Sequence, residues 1–202
     1  YEVVFFINKK NIIINTKLII MFRLINLLFC LAFFNENSIK IENFKTRQKY
    51  LKPVSGRGLN HIIKLDNKKL KVIDESYNAN PDSMLQCIKY FSSLKINFNK
   101  KILILGNMNE LGKYSDAFHT NLLHEVDNFK FKCVILCGEF LRRSIKKILN
   151  PKNKNIYFEN KNKIMKFICK NIHNNDTIMI KCSNSTEVNK FTYELLKKGN
   201  SS

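Results

Sequence analysis

Asp74 and Glu75 close a short β-branched run, Val72-Ile73, and a polar turn follows them: Ser76-Tyr77-Asn78-Ala79-Asn80-Pro81. A carboxylate at a strand end can accept from both hydroxyls of a ribose, and Glu75 stands where it can do so. The amides of Asn78 and Asn80 can donate to and accept from a purine edge, and Tyr77 offers a flat face for a base. Pro81 fixes the turn into a helix-compatible segment that begins at Asp82. Strand, polar turn and helix in that order is the layout by which α/β proteins hold a ligand at the carboxyl edge of a parallel sheet.

Further segments carry residue types suited to the same edge. Gly56-Arg57-Gly58 lies shortly before this stretch. Its glycines let the backbone bend closely around a ligand, and the Arg57 guanidinium is a fixed fork of donors suited to phosphate. Taken alone, such a triplet is also a common turn. Leu105-Gly106-Asn107-Met108-Asn109-Glu110-Leu111-Gly112 has glycines near both ends of a loop, in which Glu110 can orient a substrate amine or cap the next helix. His119 lies on that helix and is expected to be a packing or surface residue. Lys181-Cys182-Ser183-Asn184-Ser185-Thr186 can hold a carboxylate or phosphate at a helix start, with Lys181 and Ser183 the groups that reach it. It can equally be an ordinary hydroxyl and amide cap.

The elements that must position these residues are legible from residue 51 onward. Strands are expected at 61–65 and 71–74, around an Asn67-Lys68-Lys69 turn. A helix is expected over 82–94, where Met84, Leu85, Ile88, Phe91 and Leu94 recur at helical spacing. There follow strands at 101–105, 133–137, 156–158 and 177–180, and helices over 115–126, 141–149, 161–172 and 188–197. This alternation, with apolar runs such as Ile102-Leu103-Ile104-Leu105, predicts an α/β fold: a Rossmann-like, mostly parallel sheet with helices on both faces. Residues 1–50 differ: short β-type runs at 3–7 and 12–14, a helix over 18–34, a polar turn, and a short helix over 39–50. That block has too few elements to close a core alone and is expected to pack on something else.

The totals bound the alternatives. The chain has 202 residues, 45% of them hydrophobic, enough for one good-sized domain and part of a second. It begins with Tyr1 rather than Met and is expected to be the tail of a longer product. The formal net charge of +19 can serve nucleic-acid binding or favour a polyanionic small ligand through its field. The lysines are spread rather than striped, and no nucleic-acid motif accompanies them, so no nucleic-acid partner is expected. The six cysteines form no C-x-x-C pair, which predicts reduced, buried thiols in a cytoplasmic protein, with neither a zinc set nor a disulfide framework. Residues 18–34 are interrupted by Arg23 and Asn26, and a buried helix rather than a membrane span is expected.

The three glycine- and asparagine-rich segments, taken in order, resemble the Mur ligase family, in the type that adds D-alanyl-D-alanine. Gly56-Arg57-Gly58 resembles the family's arginine turn. Asp74 onward resembles its D-D-S-Y-N-A-N-P-x-S-M string, with Glu75 for the second Asp. Gly106 onward resembles G-D-M-x-E-L-G. The resemblance covers about residues 51–197 and implies an ATP-dependent amide ligase of peptidoglycan precursor synthesis. ATP phosphorylates the terminal carboxylate of UDP-N-acetylmuramoyl-tripeptide, and the amine of D-alanyl-D-alanine attacks the acyl phosphate, releasing ADP and phosphate. By position, Arg57 would contact ATP phosphate, Glu75 the ribose, and Tyr77, Asn78 and Asn80 the nucleotide. Glu110, Lys181 and Ser183 would contact substrate.

The sequence also departs from the family. Asn107 stands for the usual Asp, Cys182 for the Gly of K-G-S, and Glu187 falls where small or apolar residues are usual. No Gly-Lys-Thr or Gly-Lys-Ser phosphate loop occurs, and neither the metal ligands nor the uridine-nucleotide domain are found. Mg²⁺ would therefore be held mainly by a central domain outside this chain. Leu24-Ile25-Asn26-Leu27-Leu28 faintly resembles the end of that domain, with Ile20 and Phe22 in place of its usual Gly and His. The reading is thus of a C-terminal fragment, inactive alone: residues 1–50 a partial end of the central domain, residues 51–202 the C-terminal domain. The competing readings are another Mur or folylpolyglutamate-type ligase, a non-catalytic nucleotide-binding or assembly module, and a basic nucleic-acid-binding domain.

Overall fold

The computed structural model describes residues 2–15, 21–40, 54–148 and 151–200. The chain divides into two compact units, Tyr1–Pro53 and Val54–Ser202. In the first, β1 (Glu2–Ile7) and β2 (Lys10–Asn15) form an antiparallel hairpin. Asn8 and Lys9 make its two-residue turn with φ of 47° and 62°, the left-handed geometry that matches strand twist. Alternation puts Phe5, Ile7, Ile12 and Ile14 on one face, where they bury Leu27 and Leu31 of α1 (Met21–Glu36). Val4, Phe6 and Ile13 are exposed on the other face. Residues 18–20 and 41–50 of the expected helices lie outside the described residues, and Ile39 and Lys40 are not helical. Among the described residues, no helix is long and apolar enough to cross a membrane.

The second unit is a six-stranded sheet in the order β3-β4-β8-β5-β6-β7. Its strands are β3 (Leu59–Leu65), β4 (Lys68–Glu75), β5 (Lys101–Gly106), β6 (Cys133–Cys137), β7 (Asn155–Tyr157) and β8 (Thr177–Lys181). Only β3 runs antiparallel, paired to β4, and the remaining pairs are parallel. The helices are α2 (Pro81–Ser93), α3 (Ser115–Val126), α4 (Glu139–Ile145), α5 (Lys161–Asn171) and α6 (Glu187–Asn200).

Strand alternation sorts the core into two faces. Val72, Ile102, Ile104, Ile135, Ile178 and Ile180 pack under α5 and α6, where Ile164, Ile168, Val188, Phe191 and Leu195 meet them. The intervening residues Ile73, Leu103, Leu105, Val134, Leu136 and Met179 are equally buried on the other face. That face belongs to α2, whose Met84, Cys87, Ile88 and Phe91 recur at helical spacing, and to α3 and α4 beside it. Each fully buried aliphatic side chain contributes about 1.5–3 kcal/mol relative to exposure.

Two expected boundaries shift for physical reasons. The β3–β4 turn is Asp66-Asn67, not Asn67-Lys68-Lys69: φ values of 46° and 62° there favour Asp and Asn, and Lys68 already pairs with Leu65. Helix α4 ends at Ile145 rather than continuing to residue 149. It starts earlier, at Glu139, where the apolar spacing gives no signal but Gly138 turns the chain.

Candidate functional site

Parallel pairing brings the ends of β4, β5, β6 and β8 to one edge of the sheet, and the loops singled out in the sequence after β4, β5 and β8 lie along it. Asp74 organises the first. It is only 2% exposed. Its Oδ2 accepts from the Gly56 N–H at 3.1 Å, and its Oδ1 accepts from the Ser76 N–H at 3.0 Å and the Ser76 hydroxyl at 2.7 Å. The Gly58 N–H donates to the Asp74 carbonyl at 2.6 Å, and the Tyr77 N–H to the Gly56 carbonyl at 3.1 Å. Gly56 takes φ of 75°, and a Cβ there would stand 2.8 Å from the Tyr77 backbone nitrogen. Glycine is required by both the conformation and the close approach.

This buried clamp presents Arg57 outward. Its guanidinium lies 4.4 Å from the centre of the Tyr77 ring, and both side chains are exposed. A guanidinium on an aromatic face retains in-plane donors for an anion while the ring edge remains open to a planar group. Asn80 caps α2: its Oδ1 accepts from the Ser83 N–H at 2.8 Å, and its own N–H donates to Ser83 Oγ at 3.1 Å. The cap occupies the acceptor oxygen and leaves the Asn80 amide nitrogen as the group that can face a ligand. Asn78 is exposed, with Oδ1 turned to the Ala79 N–H at 2.8 Å.

Beneath these groups lies a buried polar layer. Glu75 and Lys181, register partners in β4 and β8, are 4% and 3% exposed. The Lys181 ammonium donates to the Asn78 carbonyl, so it braces the turn from below. Asn189 of α6 donates to the Ser76 carbonyl at 2.9 Å. Ser183 is shared between loops: its N–H donates to the Asn107 carbonyl at 3.1 Å, and its Oγ accepts from the Asn109 N–H at 2.9 Å. Cys182 is fully buried, and burial pushes its thiol up to about 12. A Cβ on Gly106 would fall 2.6 Å from that of Cys182, so the cysteine fills space that Gly106 leaves empty. Glu187 opens α6, accepting from the Lys161 N–H at 3.2 Å and from the Lys190 ammonium at 3.1 Å. These two donors, the backbone one foremost, hold its carboxyl below the usual range.

The β5 loop carries Glu110 at φ of 65°, exposed, and no side chain caps either the 3₁₀ turn Gly112–Tyr114 or α3 by hydrogen bonding. Helix capping therefore does not account for Glu110. His119 is fully buried, with Nε2 2.9 Å from the Met108 nitrogen and Nδ1 2.6 Å from the Ser115 carbonyl. Burial is the largest influence on it and lowers its pKa. Asn107 Oδ1 is buried without a hydrogen-bond partner, against the space a side chain on Gly138 would fill.

All the residues singled out from the sequence thus lie along the same edge, but with unequal roles. Arg57, Tyr77, Asn78, Asn80 and Glu110 present themselves outward. Glu75, Lys181 and Ser183 are buried support. A cavity of about 360 Å³ beside the turn is lined by Ser55, Asp74, Ser76, Lys161, Asn189 and Tyr193 among others, and none of the residues predicted for the site lines it. Sequence reasoning gave no role to Asp74 or Asn189, and read His119 only as a packing or surface residue. The Asp-x-Ser spacing at a strand end, which favours a side-chain-to-backbone turn, was the signal for the first. Among the described residues no group of three or more His, Cys, Asp or Glu that could hold a metal ion converges.

Residues 61–184 match the family described as Mur ligase, glutamate ligase domain. The UDP-N-acetylmuramoyl-tripeptide–D-alanyl-D-alanine ligase of Buchnera aphidicola is 31% identical over 149 residues, which is 72% of this chain and 30% of that protein. The enzyme of the same name from Bacillus subtilis is 28% identical over 139 residues, 67% of this chain and 30% of that protein. The chain thus spans about 30% of the length of these relatives. A crystal structure of MurF from Acinetobacter baumannii superposes with a TM-score of 0.74 at 19% identity, covering 93% of this chain and 40% of that one. MurF from Thermotoga maritima, solved in complex with ADP, superposes with a TM-score of 0.65 at 21% identity, covering 89% of this chain and 39% of that one.

Proposed function

This chain belongs to the Mur ligase family, and on that premise we propose that it is the C-terminal part of an ATP-dependent amide ligase that adds D-alanyl-D-alanine to UDP-N-acetylmuramoyl-tripeptide. Unit Tyr1–Pro53 is then the end of the central domain and Val54–Ser202 the C-terminal domain. The observation that carries the reading is the Arg57 guanidinium stacked on Tyr77 and held out from the sheet edge by the buried Asp74 clamp. Such an arrangement provides a fixed cation for a phosphate beside a ring edge open to a base, which suits an adenine nucleotide.

ATP, when bound, supplies the phosphoryl group that activates the acyl carboxylate. What this chain contributes is binding and orientation. Arg57 holds phosphate, Tyr77 and the amides of Asn78 and Asn80 orient the nucleoside, and Glu110 receives the ammonium end of the dipeptide. Glu75, buried beside its register partner Lys181 at the end of β4, supports from beneath the turn that carries Tyr77. Lys181 and Ser183 keep the loops in register beneath the substrate. The phosphate cradle and the metal ligands come from a central domain, so the 202-residue chain alone binds nucleotide without turnover.

The test is a fusion of this chain to the amino-terminal and central domains of the Bacillus subtilis relative, assayed for ATP-dependent addition of D-alanyl-D-alanine. Restored synthesis, lost on Arg57→Ala, is the expected result. Synthesis by the unfused chain would contradict the division of labour, and a folded fusion that binds no nucleotide would overturn the reading.

A further inference from the structure

His119 is locked by two backbone groups of opposite kind. The Met108 N–H can only donate, so the Nε2 it meets at 2.9 Å must carry the lone pair. The Ser115 carbonyl can only accept, so the Nδ1 at 2.6 Å must carry the proton. The imidazole is therefore neutral and in one tautomer, with both nitrogens occupied. Its ring stacks on Phe140 of α4 with centroids 5.1 Å apart. This histidine has no free atom with which to act as an acid or base on a ligand.

Its partner, Met108, sits in the loop that follows β5. The residues on either side are tied to the loop after β8: the Asn107 carbonyl accepts from the Ser183 N–H, and the Asn109 N–H donates to Ser183 Oγ. His119 supplies the third tie, from α3. Glu110 follows at once, exposed and at positive φ.

We propose that His119 is a positioning residue: its neutral Nδ1–H tautomer fixes the β5 loop so that Glu110 meets the ammonium group of a small amino ligand. This rests on the reading of Glu110 given above. Protonation would set a ring N–H against the Met108 N–H and break the tie. The charged groups that face the ring are Asp116 on its own helix, which favours the charged form, and Arg143 on α4, which opposes it. Burial outweighs both and keeps the ring neutral. Because the folded pKa lies below the ordinary value of about 6.5, the unfolded chain binds the proton first. The stability from this tie is complete above that value and declines as pH falls below it.

The test uses the full ¹⁵N-labelled chain. Nitrogen–nitrogen coupling between Met108 and His119 Nε2 is expected at pH 7.5. His119→Phe should speed amide exchange at Met108 at least tenfold while the β8 amides stay protected, and His119→Gln, whose side-chain oxygen can accept, should recover part of the loss. If His119→Phe fails to fold, acidification of the native chain decides. Unaltered Met108 exchange in a folded His119→Phe, or through protonation of the ring, overturns the proposal. D-alanyl-D-alanine should shift the Glu110 amide in the native chain, with about tenfold weaker affinity once Met108 is released. Unchanged affinity with Met108 released also overturns the proposal. If the dipeptide shifts nothing in the native chain, the Glu110 reading fails, while Met108 exchange still judges the tie.

Discussion

The two edges of the six-stranded sheet use the same kinds of residue for opposite ends. At the amino edge, polar groups finish on one another. Asp176 is fully buried and receives the Lys132 ammonium at 2.6 Å and the His173 N–H at 2.8 Å. Lys101, only 3% exposed, donates to the Ser92 and Leu94 carbonyls at the end of α2, and burial lowers its pKa. Asn153 gathers the Val126 and Phe129 carbonyls and the Phe131 N–H. At the carboxyl edge, buried Asp74, Lys181 and Ser183 bond to backbone, and what they support is a row of outward side chains. One edge closes the fold and the other presents it, although both bury the same kinds of polar residue.

Breaking each edge should therefore give different losses. Asp176→Ala removes one partner of a buried ion pair and should cost about 3–5 kcal/mol, measured by urea unfolding, while ADP affinity of the folded fraction stays unchanged. Asp74→Ala leaves the Gly56 and Ser76 donors unpaired and should cost about 2–4 kcal/mol. There ADP affinity should fall as well, because the Arg57 turn loosens. Equal effects of the two variants on ADP binding would erase the distinction between the edges.

Smaller changes sharpen it. Gly56→Ala forces a side chain into positive φ against the Tyr77 backbone and should cost about 1–3 kcal/mol, with weaker ADP binding by calorimetry. Arg57→Ala should alter stability by no more than about 0.5 kcal/mol, as expected for an exposed residue, yet weaken ADP about tenfold. The smallest effect concerns reactivity. Cys182 at the carboxyl edge is pushed up to about 12, and Cys133 in β6 to about 11, both chiefly by burial. At pH 8 iodoacetamide should modify exposed Cys30 and leave both of these intact until the chain unfolds.

The sequence revealed the presenting edge more readily than its support. Arg57, Tyr77 and Glu110 were legible because glycines and asparagines around them announce turns at the ends of apolar runs. The strands were legible because continuous apolar stretches fit a sheet covered on both faces. The β3–β4 turn was misplaced by a residue because Lys68 continues the ladder while Asp66 takes the left-handed geometry. The role of Asp74 stayed hidden because Gly56, its partner, lies across the hairpin, and such a bond depends on register rather than composition. His119 packs, as a helix-face histidine is expected to, fully buried against Phe140; what stayed hidden for the same reason was its bond to Met108. The burial of Glu75 and Lys181 depends on which strands become neighbours, and the order β4-β8-β5 departs from chain order.

The most direct test of the central claim is titration of ADP into the ¹⁵N-labelled 202-residue chain, followed amide by amide. The account predicts shifts concentrated at Gly56, Arg57 and Gly58 and from Tyr77 to Asn80, and their loss in Arg57→Ala. Shifts gathered instead around Lys132 and His173 at the amino edge, or none at millimolar ADP, would contradict it.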